Sequence, residues 1–186
     1  MKLFVNPIVE KKHLGDLIKL DNLYYCSNPS DNFLDLFYKK PWMWTVLERI
    51  NSDNTRKVLG YGCIMPLTSF AENALKQGDM FEDELNSKHI LLPDEASSFY
   101  VSSIAINPDS NSYETARLTG YVLGQILKAN KPSFGIAVSK AGLRIGEEIG
   151  MNTDSIFRYS TFKAINMENP VLLQKNAFDF RIFDKD

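Results

Sequence analysis

The sequence predicts one α+β domain built on a mixed β-sheet, antiparallel in its first half and extended by a parallel crossover in its second. The crossover is read between Ser97 and Met151. An apolar, β-prone run there, Phe99-Tyr100-Val101-Ser102-Ser103-Ile104-Ala105-Ile106, is stopped by Asn107-Pro108. A polar turn from Asp109 to Ser112 follows, then apolar residues at helical spacing through Leu118, Tyr121, Val122, Leu123 and Ile126. A short strand, Phe134 to Val138, leads into a second helix that stops at Gly150. Strand, turn, helix, strand, helix is the grammar of neighbouring parallel strands, which favour ligand binding at the strand's carboxyl end and the helix's amino end. The antiparallel half is read from a hairpin. Trp42 to Leu47 turns β-like, Asn51-Ser52-Asp53-Asn54 is a turn, and Val58 to Met65 returns until Pro66.

The remaining elements follow in order. Leu3-Phe4-Val5 with Ile8-Val9 reads as a first strand, which Pro7 breaks or confines to an edge. From His13, Leu14, Leu17, Ile18 and Leu20 recur at helical spacing as far as Tyr24-Tyr25. Ser27 to Asp31 is a loop in which Ser30 or Asp31 can cap the next helix. Phe33, Leu34, Leu36 and Phe37 form that helix's apolar face, and Pro41 ends or kinks it. Residues 68 to 88 read as a helix and an irregular excursion, broken at Gly78 and rich in acid (Asp79, Glu82, Asp83, Glu84). After Gly150, Ile156 to Phe162 is β-prone, and the tail can add a strand from Val171-Leu172-Leu173 or from Phe178, Phe180 and Ile182.

Composition narrows the function classes. A chain of 186 residues can bury a sizeable core as one domain. A formal charge of −2 with no clustered Lys/Arg stripe gives no reason to expect nucleic acid. The two cysteines, Cys26 and Cys63, are read as separate buried thiols; they form neither a disulfide framework nor a metal signature, and no metal is expected. Met1 opens without a basic or apolar leader, and no apolar run approaches the roughly 20 residues of a membrane span. The expected setting is the reduced cytoplasm, with no membrane partner.

The order of a strand, two helices, a hairpin, a long strand, then helix, strand, helix and strand resembles the GCN5-related N-acetyltransferase (GNAT) family over roughly residues 1 to 165. Two motifs carry the resemblance. Ile104-Ala105-Ile106-Asn107-Pro108 looks like the end of that family's fourth strand, with its Val-x-Pro. Ser139 to Met151 looks like its fourth helix, with Ile149-Gly150-Met151 in the place of Leu-Gly-Phe. The resemblance implies a GNAT fold, with a mixed twisted sheet of about six to seven strands flanked by about four helices. It divides the domain 1–186 into an acceptor-side half (1–96), a cofactor-binding core (97–165) and a C-terminal tail (166–186).

The resemblance also implies a site. Acetyl-CoA, or another acyl-CoA, is the expected cosubstrate, its pantetheine arm added like a strand along Ile104, Ala105 and Ile106. Its pyrophosphate is expected on the amides that open the third helix, from Asn111, Ser112, Tyr113, Glu114, Thr115, Ala116 and Arg117. The family's loop there is Arg/Gln-x-x-Gly-x-Gly/Ala, and only Ala116 conforms. Glu114 occupies a glycine position and brings a negative charge; read on its own, it completes a capping box with Asn111. Ser139 stands where many members carry asparagine, and Gly146 where many carry a tyrosine that protonates the departing thiolate. Gly142 and Gly146 form a bare stripe that either admits the cofactor or packs closely on the sheet.

For catalysis the family positions of the base fall on Tyr100 and Ser102, on one face of the strand, although unperturbed tyrosine titrates near pH ~10. Tyr159 or Tyr113 is an alternative acid, and Glu95 or His89 could act through water. Acceptor recognition is expected from Tyr24, Tyr25, Asp31, Trp42, Trp44 and the acidic run Asp79 to Glu84, aromatics beside carboxylates that suit a cationic amine. The expected activity is transfer of an acyl group, most simply acetyl, to a primary amine of a small molecule or peptide by direct attack. The alternative is a GNAT-shaped protein that binds CoA, a peptide or a protein partner without turnover. Oligomeric state stays open, a homodimer included.

Overall fold

The computed structural model describes residues 2–25, 29–148, 150–156 and 171–175. Among them are seven strands and five α-helices: β1 (Lys2–Asn6), α1 (Leu14–Tyr25), α2 (Asp31–Lys39), β2 (Trp44–Ile50), β3 (Arg56–Pro66), α3 (Ser69–Gln77), β4 (Phe99–Ile106), α4 (Ser112–Ala129), β5 (Ser133–Ala137), α5 (Lys140–Glu148), β6 (Asn152–Ile156) and β7 (Val171–Lys175). The strands form one sheet in the order β1-β2-β3-β4-β5-β7-β6. Only β4 and β5 run parallel.

Several sequence expectations shift in detail. The first strand ends at Asn6; beyond Pro7 the chain leaves the sheet, and the Val9 amide donates instead to the Pro41 carbonyl at 3.2 Å. β2 starts at Trp44 rather than Trp42, because Pro41–Met43 forms a 3₁₀ turn that proline's fixed φ favours. The excursion before β4 resolves into α3, capped by Thr68 and closed by Gly78 at φ 78°, and two 3₁₀ turns, Glu82–Glu84 and Ser87–His89. Val171 to Leu173 do build a strand, and it slots between β5 and β6. The proposed strand residues 157–162 and the tail residues Phe178, Phe180 and Ile182 lie outside the described residues.

Two layers cover the sheet. Leu17 and Leu20 of α1 and Leu36 and Phe37 of α2 share a core with Trp44, Tyr61, Tyr100 and Phe134. Leu118 and Val122 of α4 pack with Leu47 and Leu59. α4 comes very close to β3. A Cβ added at Gly62 would lie 2.4 Å from Val122 Cγ2, and one at Gly60 would lie 2.6 Å from the Ala105 carbonyl oxygen. Valine in a helix has essentially one χ1 rotamer and cannot swing aside. Gly62→Ala is therefore expected to cost about 1–3 kcal/mol, read as a lower urea midpoint at unchanged slope.

The start of α4 is tied to the sheet as well. Arg49 of β2 donates from Nε and Nη2 to both carboxylate oxygens of Glu114, at 2.6–2.9 Å. Glu114 also accepts from the Asn111 amide at 3.0 Å, and Asn111 Oδ1 accepts from the Glu114 amide, so the capping box forms.

Candidate active site

β4 and β5 pair at only three positions, Phe99–Ser133, Tyr100–Phe134 and Val101–Gly135. The separation starts at a β-bulge: Val101 pairs with Ile64 and Ser103 with Cys63, which leaves Ser102 without an opposite residue. Past the bulge, Ile104 to Ile106 on one side and Ile136-Ala137 on the other no longer meet across the gap. A cavity of roughly 430 Å³ fills this opening, roofed by α4 and α5.

The structure brings part of the expected set to that cavity and leaves part away from it. Ser102, Ile104, Ile106, Thr115, Ser139, Gly142 and Gly146 line it. Ala105 is buried in the main core instead. Ser112, Tyr113, Ala116 and Arg117 are exposed on the first turns of α4, outside the cavity wall. At that helix start the Ser112 and Tyr113 amides have no acceptor among the described residues, because Asn111 satisfies the amide of Glu114 and the Asn111 carbonyl that of Thr115. Glu114 is fully buried in its ion pair. Burial works to raise its pKa, but the Arg49 guanidinium and the Asn111 amide win and hold it below the usual range. Its charge is thus paired with Arg49, although the carboxylate still folds back onto the Asn111 amide at the helix entrance. Gly142 and Gly146 both line the cavity; of the two, Gly146 is also closely packed, while a Cβ at Gly142 would meet Ser139 Oγ at an ordinary 3.4 Å. A Cβ at Gly146 would lie 2.3 Å from Leu173 Cδ1 of β7, and the Gly142 amide donates to Ser139 Oγ at 3.1 Å. Tyr159 lies outside the described residues.

Of the expected acceptor-side residues, Trp44 is core, Trp42 packs against that core, and Tyr24 reaches the cavity, where its hydroxyl donates to the Ile106 carbonyl. Of the acidic run Asp79 to Glu84, Glu82 reaches the strand that borders the cavity. Its 3₁₀ turn is held by the Phe81 amide donating to Glu84 Oε2 at 2.6 Å and by Asn32 Nδ2 of α2 donating to the Asp83 carbonyl at 2.8 Å. So anchored, Glu82 accepts from the Tyr100 hydroxyl at 2.6 Å and from Ser102 Oγ. Tyr100 and Ser102, the two expected base positions, thus converge on one carboxylate. Burial pushes Glu82 up to about 7, against the pull of those two hydroxyls and with the Asp21 and Asp83 charges adding to the rise. Asp21 of α1 accepts from the Tyr61 hydroxyl and is pushed by burial to about 6. Cys63, a buried free thiol, is raised well above its ordinary value by burial and by the Glu82 and Asp21 charges.

These carboxylates make stability depend on pH. An acid whose pKa is higher in the folded state holds its proton there after the unfolded chain has released it, so stability falls as pH rises between the two values. For Glu82 and Asp21 that window runs from about 4 to about 7. Melting temperature should decline across it, and Glu82→Gln should flatten the decline.

Comparison with known proteins agrees with this architecture. No family model and no curated protein matches the chain. Solved structures do. Arabidopsis thaliana Naa50, in complex with the bisubstrate analogue CoA-Ac-MVNAL, is 11% identical with a TM-score of 0.61 over 95% of this chain and 99% of its own. The ribosomal-protein-S18-alanine N-acetyltransferase of Escherichia coli is 12% identical with a TM-score of 0.61, over 95% and 94%. A mosquito arylalkylamine N-acetyltransferase like 5b is 12% identical with a TM-score of 0.57, over 94% and 100%. The chain has the GNAT fold. In this GNAT fold the unzipped strands, the bulge and the helix start stand in one place, and no described helix is long and apolar enough to cross a membrane.

Proposed function

We propose that the chain is an acyl-CoA-dependent N-acyltransferase, most simply one that moves acetyl from acetyl-CoA to a primary amine by direct attack. The observation that carries this reading is the pair of parallel strands that separates at Ser102 over a largely apolar cavity. Past the bulge, Ile104 and Ala105 offer a strand edge that β5 leaves unpaired to the amides of a pantetheine arm, and the Tyr24 hydroxyl closes that edge at the Ile106 carbonyl. The Ser112 and Tyr113 amides and the positive end of α4 suit its phosphates. The Arg49–Glu114 pair removes the repulsion that the glutamate would otherwise exert there. Bound acyl-CoA supplies an activated thioester. Backbone N–H groups of β4 beside the bulge stabilise the oxyanion that develops on the acyl oxygen.

The acceptor is proposed to be a small-molecule or peptide amine, in keeping with the peptide analogue and arylalkylamine named for the similar structures. A cytoplasmic setting remains part of the proposal. One observation favours the second reading, a binder that does not turn over: Gly146 replaces the acid tyrosine implied by the family, and Leu173 fills the space beside it. Thermal melting with acetyl-CoA, then thiol release with a panel of amines, separates the readings. A ligand at 100 times its dissociation constant stabilises by about 2.7 kcal/mol. No melting shift at millimolar acetyl-CoA would sink the acyltransferase and the CoA binder, and leave only a binder of a peptide or protein partner. A shift without thiol release would leave the binder.

A further inference from the structure

We infer that the proton lost by the attacking amine leaves through Ser102 to Glu82, so that the proton acceptor of the reaction sits on the 3₁₀ turn before β4. The inference rests on the acyltransferase reading and adds the proton path to it. Ser102 is the extra residue of the bulge, and it lies on the cavity wall at the point where β4 and β5 part. Its hydroxyl donates to Glu82 Oε1, while Tyr100 donates to Oε2 and fixes the carboxylate's plane. Ser102 therefore has one side on the cavity and the other on a carboxylate. Neither hydroxyl is a base near neutral pH by itself. Together with Glu82 they make a short relay.

The step balances as follows. The amine nitrogen forms a bond to the thioester carbonyl carbon. As it does so, its proton passes to Ser102 Oγ and the serine's own proton passes to Glu82. The carbon–sulfur bond then breaks and the sulfur leaves with the electron pair, to be protonated by Glu82 or by water. The groups that set the relay's charge surround it. Asp21 on α1 and Asp83 beside it are anionic neighbours, Cys63 on β3 lies within their field, and no basic side chain pairs with Glu82 among the described residues. The two acids disfavour a further negative charge and keep Glu82 ready to hold a proton once it arrives.

The test uses the full chain, acetyl-CoA and the amine that gives the fastest thiol release. Glu82→Gln should lower kcat by about 100- to 10,000-fold, the range for losing general base catalysis, while the acetyl-CoA melting shift stays as it was. The rise of wild-type kcat with pH, centred near 7, should disappear in Glu82→Gln. Ser102→Ala should also lower kcat with little change in KM for acetyl-CoA, and Ser102→Thr, which keeps a hydroxyl, should recover most of it. Full kcat in Glu82→Gln, or an unchanged pH profile, overturns the relay and leaves acyl transfer standing. Equal loss in Ser102→Ala and Ser102→Thr also overturns it, because packing and not the hydroxyl would then matter. Wild-type protein that releases no thiol with any amine overturns the acyltransferase reading and the relay with it.

Discussion

Arg49→Leu is expected to destabilise the protein by about 3–5 kcal/mol, because it strands a buried carboxylate. Glu114 has no solvent access, and both of its oxygens are taken by the guanidinium. Without Arg49, only the Asn111 amide still bonds it among the described residues, and a charge in that position must either go unpaired or take up a proton. Replacing both partners tells a different story. Arg49→Leu with Glu114→Leu should recover most of the loss, since a buried pair contributes little over apolar side chains of similar size. Urea unfolding of the two single variants and the double variant measures this directly. A single-variant loss under about 1 kcal/mol would show that water reaches the pair, since that is the range of exposed ion pairs.

The second large effect concerns the cavity. Val138→Trp, on the wall just beyond β5, should abolish the acetyl-CoA melting shift by filling the space with an indole. At 100 times the wild-type dissociation constant the difference is about 2.7 kcal/mol of ligand stabilisation. The ligand-free protein should melt close to wild type, because Val138 follows the strand and is only half-buried. A shift equal to that of wild type would mean that the ligand lies elsewhere.

The sequence shows much of the fold because period and punctuation are local. The run Phe99 to Ile106, its stop at Pro108 and the helix through Leu118, Val122 and Ile126 are each visible within a dozen residues. The features that make the site are not local. Arg49 and Glu114 are 65 residues apart, and nothing in either segment announces the other. Glu82 sits among three consecutive acids on a single 3₁₀ turn, too short for periodicity to show which one faces inward. The bulge at Ser102 depends on the register with Cys63 and Ile64, which only the assembled hairpin reveals. Gly60 and Gly62 were readable as glycines within a strand, a weak hint of close backbone approach, but not as the seat of α4. Among the residues proposed to carry the proton, the period-two rule puts Tyr100 and Ser102 on one face, and the structure adds the carboxylate they share.

The position of β7 between β5 and β6 has a consequence for synthesis on the ribosome. β6 emerges before the strand that links it to the sheet, so it must wait without a partner while the outer edge of β5 also stays open. Until residues 171–175 arrive, the outer edge of β5 and the strand β6 stay unsatisfied, and such edges invite pairing with other chains. Translation halted near residue 170 should therefore yield a product that self-associates, whereas a halt after this strand should release one that closes on itself.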